Sequence, residues 1–91
     1  MDEYALDKKQ IIENLYPLAL DAFDDHMNIN RTITYLKICA ENGYAPALGK
    51  LGFLYSERIK DIKQAEYWYN KAHEVGDQNA EHYMRSMKEG A

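Results

Sequence analysis

The histidines and the acidic residues beside one of them are the side chains best suited to metal chemistry in this sequence. His26 follows Asp24 and Asp25 directly, and such a cluster could in principle ligate a cation. A two-histidine zinc helix needs its second histidine four residues after the first, but the residue four after His73 is an aspartate. Because no second ligand cluster occurs, we expect no metal site and interpret Asp24, Asp25 and Asp21 as a solvated acidic face.

The single cysteine, Cys39, is the candidate thiol nucleophile. A reactive thiol needs an exposed, electropositive setting. Cys39 instead lies 33 residues before Ala72, at the spacing of an internal repeat, which predicts a small buried core residue. The sequence also has no Gly-rich phosphate loop and no nucleophile elbow. We therefore expect a protein that is not an enzyme and uses no cofactor, and one cysteine fits a reducing, cytoplasmic setting.

Charge is unevenly distributed along the 91 residues, whose net charge is -4. Residues 1–43 contain eight acidic and four basic side chains, whereas residues 44–91 contain seven of each. An acidic half disfavours nucleic-acid binding and favours a basic protein partner. No apolar run approaches the roughly 20 residues of a membrane helix, and the acidic N-terminal stretch is not a secretory signal, so no membrane association is expected.

The elements that position these side chains are predicted to be helices, because apolar residues recur at helical spacing almost throughout. The stripe of the first helix includes Leu18, and that of the fourth includes Ile62. The segment "SERIK" is expected to be a polar link between helices. The predicted helices span about residues 7–25, 28–42, 46–56, 61–75 and 79–89.

Helix ends have recognisable signals in this sequence. Pairs of N-terminal capping residues are expected at two helix starts: Asp7 with Gln10, and Asp61 with Gln64. Gly43 and Gly76 are expected to end helices in the left-handed conformation. Pro17 lies inside the first stripe, so we expect either a kink there or a second helix restarting at Pro17.

Three consecutive aromatic residues, in "AEYWYNKAHEVG", cannot share one helix face. Trp68 and Tyr69 lie on the apolar stripe with Ala65 and Ala72. Tyr67 is about 100° away from Trp68 around the helix and falls beside that stripe. The pattern therefore predicts that Trp68 and Tyr69 build the core and that Tyr67 is left for another role.

An internal repeat of 33 residues relates the two halves of the chain. This shift places Gly43 on Gly76 and Ala47 on Ala80. It also places Tyr35 on Trp68. Each repeat is then one helix hairpin, which must stack on its neighbour to bury its apolar face. We expect an all-α single domain over residues 1–91, a right-handed stack of antiparallel hairpins with about two repeats and a C-terminal capping helix.

The segments "ALGKLGFLY" and "DIKQAEYWYNKAHEVGDQNA" resemble a Sel-one-like repeat, a relative of the tetratricopeptide repeat. The residues that carry the resemblance are Ala47, Leu51, Gly52, Tyr55, Asp61, Ala65, Trp68, Tyr69, Lys71, Ala72, Gly76 and Ala80. The match is looser over residues 15–46, where Leu18-Ala19 replaces the Leu-Gly pair. The resemblance implies protein–protein interaction on a helical scaffold, without catalysis.

Aromatic residues off the stripes are the first candidates for binding a partner. Tyr16, Tyr44, Phe53 and Tyr67 either pack between hairpins or act as interface anchors, since tyrosine supplies large contact area at low entropic cost. The acidic face formed by Asp21, Asp24 and Asp25 has a second interpretation, as a surface that docks Arg or Lys side chains of a partner. The predicted partner-binding residues are Tyr16, Asp21, Asp24, Asp25, Phe53 and Tyr67.

These features predict a small acidic adaptor or inhibitor that binds one folded protein. One concrete form is an immunity-type protein that neutralises a basic toxin or nuclease domain. The alternative is a structural repeat protein that self-associates. Tyr83, Met84 and Met87 are expected to face inward from a polar-sided closing helix, which favours a monomer over a homo-oligomer.

Overall fold

The computed structural model describes residues 7–23 and 28–90, except for the side chains of residues 23 and 88–90. Every regular element in these ranges is helical, which confirms the all-α prediction. The elements are α1 (Lys8–Phe23), α2 (Ile29–Glu41), α3 (Ala45–Phe53), a π-helical turn (Leu54–Ile59), α4 (Ile62–Glu74) and α5 (Gln78–Gly90).

The chain divides into two compact units, Met1–Tyr44 and Ala45–Ala91. In the first unit, α1 packs against α2. In the second unit, α4 packs against α3, α5 and the π-helical turn. Each unit therefore contains a pair of consecutive helices in contact, and the right-handed stacking of such pairs stays a prediction.

The first helix begins at a reciprocal capping pair, as its sequence predicted. The Asp7 amide donates a hydrogen bond to Gln10 Oε1 at 3.2 Å, and the Gln10 amide donates to Asp7 Oδ1 at 2.8 Å. Two otherwise unpaired amides of the first turn are thereby satisfied. The helix then runs as one element through Pro17, so no second helix restarts there.

The core of the first unit is built from small and medium side chains. Ala19, Leu36 and Cys39 are fully buried, which confirms the prediction for the cysteine. Thr32 is also fully buried, and its hydroxyl donates to the Asn28 carbonyl at 3.2 Å, so its polar atom has a partner despite burial.

One predicted core position of α1 was wrong. Leu18 is 47% exposed. It lies about 100° around the helix from the fully buried Ala19, at the edge of the stripe that packs against α2.

The predicted polar link "SERIK" is largely helical. Its first four residues continue α3 as the π-helical turn, and the Asp61 amide donates to the Tyr55 carbonyl at 2.8 Å. Lys60 ends the turn in the left-handed conformation, with φ at 66°. Leu54 and Ser56 of this turn are both buried.

A close packing of Tyr69 on Gly52 organises the second unit. Tyr69 on α4 is 2% exposed, and its ring lies where a Cβ atom on Gly52 of α3 would be. The ring of Tyr83 on α5 stacks on Tyr69 with a centroid distance of 5.4 Å. Tyr83 was expected to face inward, but it is 40% exposed, and Ile62 at the start of α4 is 45% exposed.

The glycine caps are confirmed, and the predicted Asp61–Gln64 pair forms in one direction, since the Asp61 amide donates to Tyr55 instead. Gly43 and Gly76 have φ values of 91° and 90°, a conformation in which glycine carries no steric penalty. The Asp61 side chain caps α4 by accepting a hydrogen bond from the Gln64 amide at 3.2 Å.

Candidate functional site

An open groove of about 560 Å³ lies on the first unit. Five of its lining residues fall at positions 9, 12, 13, 16 and 17 of α1, a spacing that places them on one helix face. The sixth follows the end of α2. Among the described residues, those that line the groove are Lys9, Ile12, Glu13, Tyr16, Pro17 and Tyr44.

The two tyrosines form an aromatic corner in this groove. The ring centroids of Tyr16 and Tyr44 are 4.6 Å apart, and the ring planes meet at 73° in an edge-to-face contact. Burial raises the pKa of the Tyr16 hydroxyl, and Tyr44 and Cys39 add smaller contributions in the same direction. Both rings are half-buried, so each still presents surface to an incoming group.

The charged side chains of the groove form a loose ion pair. Lys9 Nζ lies 3.9 Å from Glu13 Oε1, and the two side chains are 85% and 59% exposed. A solvent-exposed pair at this spacing on a helix contributes only about 0.3–0.5 kcal/mol. The Glu13 carboxylate can therefore exchange its partner at little cost.

The acidic residues predicted for docking are only partly described. Asp21 is exposed on α1, four residues after the groove residue Pro17. Asp24 and Asp25 lie outside the described residues, as does His26. The structure therefore places one of the three predicted carboxylates, on solvent-exposed helix surface.

Phe53 and Tyr67, the other predicted binding residues, belong to the second unit. Phe53 is 37% exposed and Tyr67 is 51% exposed. The Tyr67 ring makes an edge-to-face contact with Trp68 at 5.0 Å, and Lys71 Nζ lies 5.0 Å from the Tyr67 ring centroid. Trp68 itself is half-buried rather than fully enclosed, whereas Tyr69 is in the core.

Sequence reasoning did not identify most of the groove. The sequence pattern indicated none of Lys9, Ile12, Glu13 and Pro17 as a site residue. The signal was present, because these residues and Tyr16 follow each other at steps of three and one along α1. Tyr44 was a candidate, but its contact with α1 depends on how the chain returns after α2.

Within residues 7–23 and 28–90, no group of three or more His, Cys, Asp or Glu side chains could hold a metal ion. None of the helices in that part of the chain has the length and apolar character needed to cross a membrane. Burial raises the pKa of the Cys39 thiol, which keeps it in the protonated, less nucleophilic form near neutral pH.

Comparisons of the chain with protein-family models, with curated proteins and with solved structures found no match. The resemblance to the Sel-one-like repeat therefore stays a prediction from its motif residues. The site is assigned from the groove, its aromatic corner and its charges.

Proposed function

We propose that this chain is a protein-interaction module that binds one folded, basic partner through its first unit. The observation that supports the proposal is that the net negative charge and the groove occur in the same unit. Residues 1–44 hold eight acidic and four basic side chains, so the whole net charge of -4 lies in the unit that also contains the groove. Protein interfaces commonly combine such an aromatic, apolar centre with a charged rim.

A stoichiometric inhibitor is the form of this role that the charge supports best. An acidic surface attracts a basic partner at long range and increases its association rate. An immunity-type protein that covers the basic surface of a toxin or nuclease would use charge in this way. The proposed role needs no catalysis and no cofactor, and the proposed location is the cytosol, where Cys39 would stay reduced.

The experiment is affinity capture of the partner from lysate of the source cells, followed by native mass spectrometry. We expect a 1:1 complex that weakens between about 0.1 M and 1 M salt, because the Debye length falls from about 10 Å to about 3 Å. The charge-reversing variant Asp21→Lys is expected to weaken binding about fivefold, the upper range for an exposed ion pair.

Glu74→Lys is the matched control for this reversal. Glu74 is exposed at the end of α4 in the second unit, where a lysine also suits the helix dipole. This variant is expected to bind as the unmodified chain does. A complex that is indifferent to salt and to Asp21→Lys would contradict the electrostatic part of the proposal.

Self-association is the second candidate function. It is favoured by four exposed apolar residues of the second unit, which lie at the end of α3, at the end of the π-helical turn and on α4: Phe53, Ile59, Ile62 and Tyr67. Light scattering over a hundredfold range of protein concentration separates the two candidates. A constant monomer mass is expected under the leading proposal, whereas mass that grows with concentration would favour self-association.

A further inference from the structure

We propose that the groove on the first unit takes an arginine side chain of the partner, stacked on the Tyr16–Tyr44 corner and paired with Glu13. This inference rests on the proposed function and names the chemical group that the site recognises. It concerns only residues of the first unit.

The aromatic corner supplies the first attraction. Tyr16 and Tyr44 both line the groove, their rings meet at 73°, and both residues are half-buried, so part of each remains exposed. The face of an aromatic ring is electronegative, and a guanidinium within about 6 Å of a ring centroid is attracted to it. Ile12 and Pro17 line the same groove and would pack against the apolar stem of the arginine.

Glu13 supplies the second attraction. Its carboxylate shares the groove with the corner, and its present partner, Lys9, is 3.9 Å away on an 85% exposed side chain. A guanidinium offers a planar pair of donors that matches a carboxylate better than an ammonium does. Arginine is thus expected to displace Lys9 from Glu13 at little cost.

The charge of the first unit distinguishes arginine from other occupants. An apolar side chain such as leucine would also fit an open groove of about 560 Å³, but it would gain nothing from Glu13. An anionic group would find Lys9 in the groove, but it would be repelled by a unit with eight acidic and four basic residues. A cation with a flat face and an apolar stem satisfies the rings, the carboxylate and the charge together.

Selection of peptides from a random library displayed on phage tests the inference with the full chain as bait. We expect enriched peptides to contain an arginine next to apolar residues. The affinity of a selected peptide is then measured by fluorescence anisotropy against two variants that change charge on the same helix face. Glu13→Gln is expected to weaken binding about threefold, whereas Lys9→Gln is expected to strengthen it, because a competitor for Glu13 is removed.

Three results would overturn the inference. Enriched peptides could lack basic residues, which would identify an apolar occupant. Peptide binding could be lost on Tyr67→Ala but not on Glu13→Gln, which would place the site on the second unit. A selection could also enrich no peptide. In each case the proposed function is judged separately, because it falls only if the salt-dependent 1:1 complex with the captured partner is also absent.

Discussion

Replacing Tyr69 by alanine is expected to lower the free energy of unfolding by about 3–5 kcal/mol, the usual cost of deleting a buried aromatic ring. Tyr69 is 2% exposed, fills the space beside Gly52 and stacks on Tyr83. Because the free energy of unfolding of a small domain is only about 5–15 kcal/mol, this change removes a large share of the stability. Urea unfolding followed by circular dichroism measures it.

The conservative variant Tyr69→Phe separates the ring from its hydroxyl. Burial raises the pKa of the Tyr69 phenol, and a hydrogen bond with Ser56 opposes that rise. Removing the hydroxyl is therefore expected to cost about 1 kcal/mol, the typical net value of one hydrogen bond. Equal losses in Tyr69→Phe and Tyr69→Ala would show that the ring contributes little, contrary to the packing described above.

The contact between Tyr69 and Gly52 predicts that Gly52→Ala changes stability in opposite directions in the unmodified chain and in the Tyr69→Ala variant. A Cβ atom on Gly52 would lie 2.5 Å from Cδ1 and Cε1 of Tyr69, so the substitution is expected to cost about 1–3 kcal/mol in the unmodified chain. With Tyr69→Ala already present, the clash is absent. Alanine is then expected to stabilise the helix by up to about 1 kcal/mol over glycine.

Gly49→Ala on the same helix is the control for this sign change. A Cβ atom there would meet only Asp77 Oδ2, at 3.4 Å, which is an ordinary contact. We expect Gly49→Ala to be neutral or mildly stabilising with or without the Tyr69 ring. If Gly52→Ala proved harmless in the unmodified chain, the ring could not be seated against this glycine.

Local signals in the sequence predicted much of this fold. Helical periodicity separated Tyr69, which is buried, from Tyr67, which is 51% exposed, although the two are only two residues apart. Capping pairs and left-handed glycines likewise act within a few residues of each other. Such features depend on backbone geometry that neighbouring side chains determine, so they are readable without knowledge of the tertiary structure.

Features that depend on distant parts of the chain were not predictable in this way. The turn from Leu54 to Ile59 is π-helical and packs against α4, and no local pattern in the sequence indicates such a widened turn. The groove needs Tyr44 to meet Tyr16 after the whole of α2 has intervened. The sequence therefore predicted the candidate aromatics of the first unit but not which of them would meet.

Replacing Tyr16 by alanine is expected to weaken binding of the partner, or of an arginine-containing peptide, by at least about 2 kcal/mol, or roughly 30-fold. The reason is geometric, because Tyr16 forms one wall of the aromatic corner and lines the groove beside Glu13. Losing the ring removes both its cation–π attraction and the surface that keeps water away from the ion pair. Isothermal titration calorimetry with the selected peptide measures the change.

Two companion variants distinguish recognition from folding in this experiment. Tyr16→Phe keeps the ring and is expected to bind within about threefold of the unmodified chain, since the ring face rather than the hydroxyl makes the cation–π contact. Tyr67→Ala removes a more exposed aromatic from the second unit and is expected to leave binding unchanged. Circular dichroism checks that each variant is folded. Full binding by a folded Tyr16→Ala variant would exclude the Tyr16–Tyr44 corner as the recognition site, because the variant lacks one of its two rings.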